Sequence, residues 1–542
     1  MSLTISKELL DSVASEHEVF EALQKRTEFY GSREITLVVQ DFDDEALRAL
    51  SAAFTAAKNN KSARAIDAVL ASRQGNFSKP IPNFKAFVHV LRDFLAHECI
   101  DGWVYAEGPD GKLYAELVTE IRERTEDSRG QKDPVVELHT ICYGLPGEGG
   151  YARRSERCGV VRRTHRFAPQ DVTKRRVADA LVKAGIYKET QALRDAHMGS
   201  VERFQAEVRG AFAQQFRLQG AAYRCEQDSY RRGFDLSGRR VIHDLSGADF
   251  EPSPGGMESC LFDSGDGVGQ VPVNPLVRVF DLRSHEFFWV HADFMQPYVY
   301  DKSLRDKLVL PASHRDLLDV LTQDLGAFVD DIIEGKSAGN VILCKGIPGV
   351  GKTLTAEVYA ELIEKPLYAI HSGSLGVTPT EVEKGLKLIF ERAKRWGCEL
   401  LLDEADVFVV QRGGSIEQNA IVAEFLRALE YFDGLMFMTT NRPGDIDDAI
   451  ISRCAAIIDY QVPGPQDAAA IWRVLAQQYQ ADMNDGLIAA LVALFPRIAP
   501  RDIKMLLRLA LRVSKSEGKP LVVETFRRCA MFRAIEMHSE AA

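Results

Sequence analysis

The 542-residue sequence lacks the features that mark several protein classes. Its nine cysteines are scattered, odd in number and never spaced C-x-x-C, which argues against a disulfide framework and a zinc ribbon. No stretch of about 18 apolar residues is present, so no membrane span is expected. The N-terminal stretch carries acids where a secretory leader is basic, and it lacks the apolar core of a leader. These absences predict a reduced, cytoplasmic protein that binds no membrane.

Strong charge bias and low-complexity sequence are missing as well. The formal net charge is −11, and residues 1–300 and 301–542 share it almost evenly. The 40 glycines and 21 prolines are ordinary in number, and no repeat of fixed period is visible. A collagen-like chain and a polybasic coat protein are therefore excluded. The length predicts about three or four compact units, and 46% apolar residues are enough to fill their cores.

A glycine-rich loop follows an apolar run in the second half of the chain. Residues 346–353 read GIPGVGKT, which is the pattern G-x-x-x-x-G-K-[ST] between a predicted strand and a predicted helix. The glycines let backbone N–H groups turn toward a phosphate, and the helix N-terminus adds partial positive charge. Lys352 is expected to reach the β- and γ-phosphates, and Thr353 to offer its hydroxyl to Mg²⁺. The predicted nucleotide-binding residues here are Gly346, Pro348, Gly349, Val350, Gly351, Lys352, Thr353 and Leu354.

A second apolar run ends in acidic residues. Residues 399–406 read ELLLDEAD, and ligands of open α/β sheets bind at the carboxyl ends of such strands. Asp403 is expected to hold Mg²⁺, and Glu404 to polarise the attacking water. Taken alone, the acid pair also fits a helix start, where carboxylates are favoured. A phosphate loop upstream favours the nucleotide site.

The order of apolar runs predicts the fold class. Between residues 339 and 460 short apolar runs alternate with helical stretches, which indicates a parallel sheet with crossover helices. After residue 463 only helices are predicted. Before residue 300 the pattern is mixed, and one helix is expected over Ser200–Arg217. The prediction is an α/β protein: a parallel-sheet P-loop module with a C-terminal helical lid, preceded by a mixed α+β N-terminal region.

These motifs resemble those of the AAA+ ATPases, in the AAA clade with a single ATPase module, over about residues 310–540. Residues 434–443, GLMFMTTNRP, resemble the strand that ends in the first sensor of that family, and residues 447–453 resemble its signature region. The resemblance implies ATP and Mg²⁺ as cofactors. It also implies a homo-oligomeric ring, taken to be a hexamer, with ATP bound between subunits.

The resemblance assigns roles to three further residues. Asn441 matches the residue that senses the γ-phosphate and orients water, so it joins Glu404 in the predicted catalytic set. Arg453 completes this set because it matches the arginine finger that reaches the γ-phosphate of a neighbouring subunit. Arg501 lies where a second-sensor arginine of the lid would contact nucleotide. The predicted metal ligands are Thr353 and Asp403.

Two departures from the family pattern bear on mechanism. The loop after the second strand, residues 372–379, contains no aromatic residue, whereas members that thread a protein chain grip it with one. Thr378 and Glu381 instead predict a capping box for the following helix. The signature region also ends in one arginine, Arg453, where many members of the clade have two.

The predicted domains are an N-terminal mixed α+β region over 1–250, a β-rich connector over 251–305, a large ATPase subdomain over 306–462 and a small helical lid over 463–542. The expected function is ATP hydrolysis coupled to the remodelling of a protein partner that residues 1–300 select. Two alternatives stay open: a nucleic-acid-stimulated motor or defence ATPase, and a nucleotide-gated scaffold with slow hydrolysis.

The nucleic-acid alternative depends on one basic stretch, residues 153–176. It holds nine lysines and arginines, with Tyr151 and Phe167 close by. Such a stretch could contact a phosphate backbone. A solvated face or a contact between subunits is favoured over this reading, because no known nucleic-acid-binding signature accompanies the charges.

Overall fold

A computed structural model gives the fold of most of the chain. It describes residues 1–14, 17–30, 34–126, 132–146, 158–223, 233–244, 271–323, 340–376, 378–413, 416–533 and 535–537. Within these ranges no helix combines the length and the apolar character needed to cross a membrane.

Two strands and five helices form the first layer. They are β1 (Ser2–Ser6), α1 (Lys7–Ala14), α2 (Glu18–Tyr30), β2 (Glu34–Val38), α3 (Asp44–Ala56), α4 (Asn60–Arg73) and α5 (Phe84–Glu98). Strands β1 and β2 pair antiparallel, and apolar side chains from both strands and from α1 to α4 share one buried core. Asp43 and Asn83 cap the N-termini of α3 and α5 through their side chains, which helps to fix where these helices begin.

An antiparallel sheet of five strands follows. Its elements are β3 (Trp103–Glu107), β4 (Leu113–Glu126), β5 (Lys132–Pro146), β6 (Cys158–Phe167), α6 (Pro169–Val172), α7 (Val177–Lys183) and β7 (Ile186–Lys188), and the strand order is β6-β5-β4-β3-β7. Val104, Val118 and Leu138 lie in one core with α5 and α7, so these helices cover one face of the sheet. The long strands β4 to β6 carry many charged residues, and nothing in the apolar pattern predicted them.

A third sheet has seven strands, all paired antiparallel, in the order β10-β9-β13-β12-β11-β8-β14. The elements are α8 (Gln191–Arg203), β8 (Gln215–Leu218), β9 (Ala221–Tyr223), β10 (Phe234–Asp235), β11 (Arg240–His243), β12 (Leu276–Asp281), β13 (Glu286–His291) and β14 (Met295–Pro297). Four of these strands precede residue 250 and three follow it. The predicted boundary at residue 250 thus falls inside the stretch that builds one sheet.

The helix predicted over Ser200–Arg217 is wrong in its second half. Helix α8 ends at Arg203, a π-helical turn continues to Val208, and β8 then begins at Gln215. Phe216 and Leu218 alternate with an exposed arginine, and pairing with β11 and β14 buries both apolar side chains. Sheet pairing therefore overrides the local helical composition.

The second half of the chain contains a parallel sheet, as predicted. Its elements are α9 (Ala312–Gln323), β15 (Asn340–Gly346), α10 (Lys352–Leu362), β16 (Leu367–His371), α11 (Pro379–Trp396), β17 (Glu399–Asp403), α12 (Asp406–Val409), α13 (Ile416–Leu429), β18 (Leu435–Thr440), α14 (Asp448–Ile451) and β19 (Ala456–Tyr460). All pairings are parallel, in the order β16-β17-β18-β15-β19. The carboxyl ends of β15, β17 and β18 therefore meet at one edge of the sheet.

Four helices complete the described fold. They are α15 (Pro465–Gln478), α16 (Asp485–Leu494), α17 (Pro500–Glu517) and α18 (Val523–Met531). Their core surrounds Trp472, which is fully buried against Phe526. The helical character predicted after residue 463 is confirmed. The division of the whole chain into domains stays a prediction.

The seven-stranded sheet packs directly on the part of the chain that contains the parallel sheet. Phe280 of β12 contacts Trp396 of α11, with ring centroids 4.7 Å apart. The carboxylate of Glu361, at the C-terminal end of α10, lies 3.2 Å from Arg240 and accepts hydrogen bonds from the Tyr298 hydroxyl (2.7 Å) and the backbone N–H of residue 301 (2.9 Å). An aromatic contact and a buried polar cluster thus join the two parts.

Candidate functional site

The glycine-rich loop forms a tight turn between β15 and α10. Gly346, Gly349 and Gly351 have φ values of 146°, 85° and 109°, which side chains with a Cβ rarely adopt. A Cβ at Gly346 would lie 2.4 Å from the Tyr460 carbonyl oxygen, so the backbone of β19 also requires glycine there. The sequence places glycine at these positions because the loop conformation and its close packing demand it.

The side chain of Lys352 is hydrogen-bonded to the backbone of the glycine-rich loop. Its Nζ atom donates to the carbonyl oxygens of Gly346 (2.8 Å) and Ile347 (2.9 Å), and to Oδ1 of Asn441 (2.8 Å). The residue is buried, and this burial lowers the pKa of its ammonium group from the usual value. The structure thus brings Lys352 and Asn441 together, at the carboxyl ends of adjacent strands.

The predicted metal ligands also meet. Thr353 Oγ1 lies 2.9 Å from Asp403 Oδ1, and the Thr439 hydroxyl donates to the same carboxylate oxygen at 2.6 Å. A hydroxyl and a carboxylate are hard oxygen donors of the kind that Mg²⁺ prefers. The two side chains therefore fit the ion that the sequence predicts.

Glu404 occupies an unusual backbone conformation. Its φ is 54°, in the left-handed region that residues other than glycine, asparagine and aspartate seldom adopt. Its backbone N–H donates to Thr439 Oγ1 at 3.0 Å, which helps to hold this conformation. The side chain is exposed at the sheet edge. Strained residues of this kind concentrate at functional sites, and Glu404 is the acid predicted to polarise water.

Two positioning residues escaped the sequence prediction. Thr439 contacts both Asp403 and the backbone of Glu404, as described above. Asp406 accepts hydrogen bonds from the Thr440 hydroxyl and from the backbone N–H of Asn441, the latter at 2.9 Å. The sequence did contain one signal for these contacts, the polar pair Thr439–Thr440 at the end of a buried strand. Buried hydroxyl groups need hydrogen-bond partners, so the pair indicates polar neighbours at that edge of the sheet.

Arg501 lies against the phosphate loop at the start of α17. Its backbone N–H donates to the Gly349 carbonyl oxygen at 3.0 Å, and a Cβ added to Gly349 would come within 2.8 Å of the Arg501 Cβ. The first turn of a lid helix therefore touches the loop directly. This contact places the predicted lid arginine beside the predicted nucleotide-binding residues.

Arg453 lies apart from this cluster. Its Nη2 atom contacts Glu430 Oε1 at 2.6 Å, and its Nη1 atom donates to the carbonyl oxygen of Ala449 at 3.0 Å. Among the described residues, these side-chain contacts join it to neither Lys352 nor Asp403. The arginine-finger prediction, in which Arg453 acts on a neighbouring copy of the chain, stays a prediction.

The two sequence features outside the site have different outcomes. The capping box of Thr378 and Glu381 is confirmed, with reciprocal hydrogen bonds at the start of α11. In the basic stretch, Arg163 contacts Glu116 at 2.7 Å and Phe167 is fully buried in a core.

Part of the basic stretch is paired within its own sheet. Arg166 contacts Glu137 at 3.1 Å, across the β5–β6 pair. Arg153, Arg154 and Arg157 lie outside the described residues. Lys174, Arg175 and Arg176 are exposed, whereas the ring of Phe167 is buried. The described part of the stretch therefore offers the nucleic-acid alternative exposed cations without an accessible aromatic ring.

Comparisons with known proteins point to one family. Residues 342–462 match the family described as ATPases associated with various cellular activities (AAA). An uncharacterised AAA family ATPase, y4kL, from Sinorhizobium fredii is 29% identical over 200 residues, which cover 35% of this chain and 58% of the relative. A putative homologue of a 26S proteasome regulatory protein from Methanothermobacter marburgensis is 27% identical over 194 residues, 33% of this chain and 51% of the relative. The chain thus spans a little over half the length of these relatives.

A solved structure is similar as well. The AAA domain of FIGL-1 aligns at 18% identity and a TM-score of 0.37, over 44% of this chain and 86% of that one. The family match covers β15 to β19 and the helices between them, and therefore includes the loop, the acidic pair and the sensor strand described above. Residues 342–462 of the chain therefore form a module of the AAA ATPase family.

Proposed function

We propose that the protein is a Mg²⁺-dependent ATP hydrolase. The main supporting observation is that two hydrogen-bonded pairs, Lys352 with Asn441 and Thr353 with Asp403, lie at the carboxyl edge of the parallel sheet. Loop N–H groups and Lys352 would bind the phosphates of ATP. Thr353 and Asp403 would hold Mg²⁺, which when bound neutralises phosphate charge.

Hydrolysis would depend on residues around that group. Glu404 would orient and polarise a water molecule, because its exposed carboxylate stands next to the metal-binding oxygens in sequence and at the sheet edge. Asn441 would hold the γ-phosphate region from the neighbouring strand. Arg501 would contact nucleotide from the lid, since its backbone already touches the phosphate loop.

The working assembly would be a homo-oligomeric ring, which we propose to be a hexamer in the cytoplasm. The described contacts of Arg453 lie away from the site of its own chain, so the ring would supply the missing cation from a neighbour. Six described cysteines are free thiols, which agrees with a reducing compartment. The ring would couple hydrolysis to the remodelling of a protein partner that residues 1–300 select, through motion of the lid against the sheet.

Two substitutions test the ATPase proposal. Lys352→Ala should abolish nucleotide binding, because it removes the cation that closes the loop. Glu404→Gln should bind nucleotide and lose turnover by at least about 100-fold, since it keeps the shape of the side chain but not its basicity. The measurements are binding of a fluorescent ATP analogue and steady-state phosphate release.

The same variant tests assembly. The solution mass of Glu404→Gln with Mg·ATP should rise to about six times that of the chain, because the variant retains ATP. Turnover that survives in Glu404→Gln would remove the catalytic assignment. A monomer with and without Mg·ATP would remove the role of Arg453 and leave a phosphate-loop switch.

A further inference from the structure

The surroundings of Arg453 contain an acidic residue that no motif predicts. Glu430 follows the last residue of α13, and Arg453 lies two residues beyond the end of α14. Their side chains meet at 2.6 Å, although 23 residues separate them in sequence. The pair therefore ties the end of one helix to the end of another.

The guanidinium of Arg453 is held at two points. Nη2 contacts Glu430, and Nη1 donates to the Ala449 carbonyl oxygen one turn earlier in the chain. A guanidinium has five N–H donors in a rigid plane, so two contacts fix its orientation and leave further N–H groups for another acceptor. About a third of each paired side chain is exposed, at 30% for Arg453 and 35% for Glu430, so a partner can reach them.

We propose that Glu430 is a positioning residue, which holds the guanidinium of Arg453 in the orientation that engages the nucleotide of a second copy of the chain. This inference rests on the proposed function, because it needs Arg453 to act between subunits. A long arginine side chain that is already ordered loses less conformational freedom when it engages a phosphate. Glu430 would thus raise turnover without touching nucleotide itself.

The same contact also fits the opposite effect. A carboxylate that pairs with the arginine could hold it back from the neighbour, and its removal would then raise turnover. The Ala449 contact favours positioning, because a carbonyl from the helix that precedes Arg453 supports the same guanidinium orientation. The sign of the effect of one substitution separates the two readings.

The test is a double-mutant cycle on the full chain. We expect Glu430→Ala to lower kcat about 10-fold while KM for ATP stays within about 2-fold. The KM should change little because ATP is bound by the phosphate loop of the neighbouring chain, which the substitution leaves intact. Glu430→Gln should recover part of the loss, because its amide oxygen still accepts from Arg453. In the Arg453→Ala background, Glu430→Ala should have no further effect.

Each measurement is made above the protein concentration at which wild-type turnover per chain becomes constant, with the solution mass checked for every variant. Glu383→Ala is the matched control: it removes an exposed carboxylate that pairs with Arg427 of α13, and it should leave kcat unchanged.

Three results would overturn the inference. Additive losses in the double variant would show that Glu430 does not act through Arg453. A rise in kcat for Glu430→Ala would make the pair a restraint. An unchanged kcat for Glu430→Ala, with Arg453→Ala still damaging, would make the pair irrelevant. If Arg453→Ala itself leaves kcat unchanged, the arginine-finger part of the proposed function fails first.

Discussion

The two ends of helix α10 are held in different ways. At its N-terminal end the phosphate loop rests on the lid through a backbone hydrogen bond from Arg501 to Gly349 and through close van der Waals packing. At its C-terminal end Glu361, which is 6% exposed, accepts from the Tyr298 hydroxyl and a backbone N–H and pairs with Arg240.

This difference predicts which of the two contacts of α10 breaks more easily. A contact through one backbone hydrogen bond can break and reform as the lid shifts. A buried carboxylate with several donors is costly to expose, because each donor and acceptor would need a new partner. The lid is therefore the part expected to respond to nucleotide, and the seven-stranded sheet is expected to follow the ATPase sheet.

The largest effect is expected at the lid contact. In Gly349→Ala the new Cβ would lie 2.8 Å from the Arg501 Cβ, and the φ of 85° is strained for alanine. The loop must shift and misdirect its N–H groups, so nucleotide affinity should fall about 100-fold, or about 2.8 kcal/mol. Titration with a fluorescent ATP analogue measures this.

Gly199→Ala provides the control for that variant. Gly199 lies in α8, and a Cβ there would meet no atom within 4 Å. Its nucleotide affinity should equal that of the wild type. An affinity for Gly349→Ala within about threefold of wild type, which is less than about 1 kcal/mol, would show that the loop and lid are not packed tightly enough to be coupled.

A substitution at the C-terminal end of α10 should change the stability of the protein rather than its nucleotide affinity. Glu361→Ala removes a charged acceptor from a nearly buried cluster, so the free energy of unfolding should fall by about 2 kcal/mol while nucleotide affinity changes little. Urea denaturation, followed for the ATPase half and for the N-terminal half, measures this effect.

Glu364→Ala is the matched variant three residues along. Glu364 pairs with Lys302 at 2.9 Å, but both side chains are more than half exposed, so less than about 0.5 kcal/mol is expected. Equal losses of stability in the two variants would contradict the view that burial makes the Glu361 cluster an anchor.

The smallest effect concerns pH and a histidine of β11, in the seven-stranded sheet. His243 is buried, and burial lowers the pKa of its imidazole to about 4. The folded state keeps this imidazole neutral while the unfolded chain binds a proton below about pH 6.5, so stability is present above that pH and is lost as the pH falls toward 4.

His243→Leu should remove this contribution. Between pH 7.5 and 5.5 the variant should lose about 1 kcal/mol less stability than the wild type, because one fewer buried imidazole resists protonation. Urea midpoints at the two pH values measure the difference. Parallel pH curves for the two proteins would show that His243 is hydrated in the folded state.

The ATPase half was largely predictable from the sequence. The five parallel strands were predicted because each contains a short apolar run, and three of them are almost continuously buried. The loop and the acidic pair were predictable because their residues are adjacent in sequence and have narrow chemical requirements. The close approach of Lys352 to Asn441 followed from strand order only, since 89 residues separate them.

The N-terminal half was much less predictable. Strands β4 to β6 contain charged residues whose partners, such as Glu116 for Arg163, come from other strands. Strands that pair charged residues in this way lack the alternation of apolar and polar residues from which a strand is predicted. The seven-stranded sheet joins segments on both sides of residues 245–270, and β8 has helical composition. Glu361, near the end of α10, and Glu430, just after α13, were missed because a single acidic residue at a helix end has no local signature.

The strained backbone of Glu404 means that substitutions which raise stability at this position would also remove its carboxylate. A glycine at this position would adopt the φ of 54° without a Cβ clash, and asparagine would tolerate it better than glutamate does. Relief of such strain commonly adds about 1 kcal/mol to stability. Selection of this protein for heat resistance alone should thus enrich glycine and asparagine at residue 404, at the expense of the carboxylate that we propose polarises water.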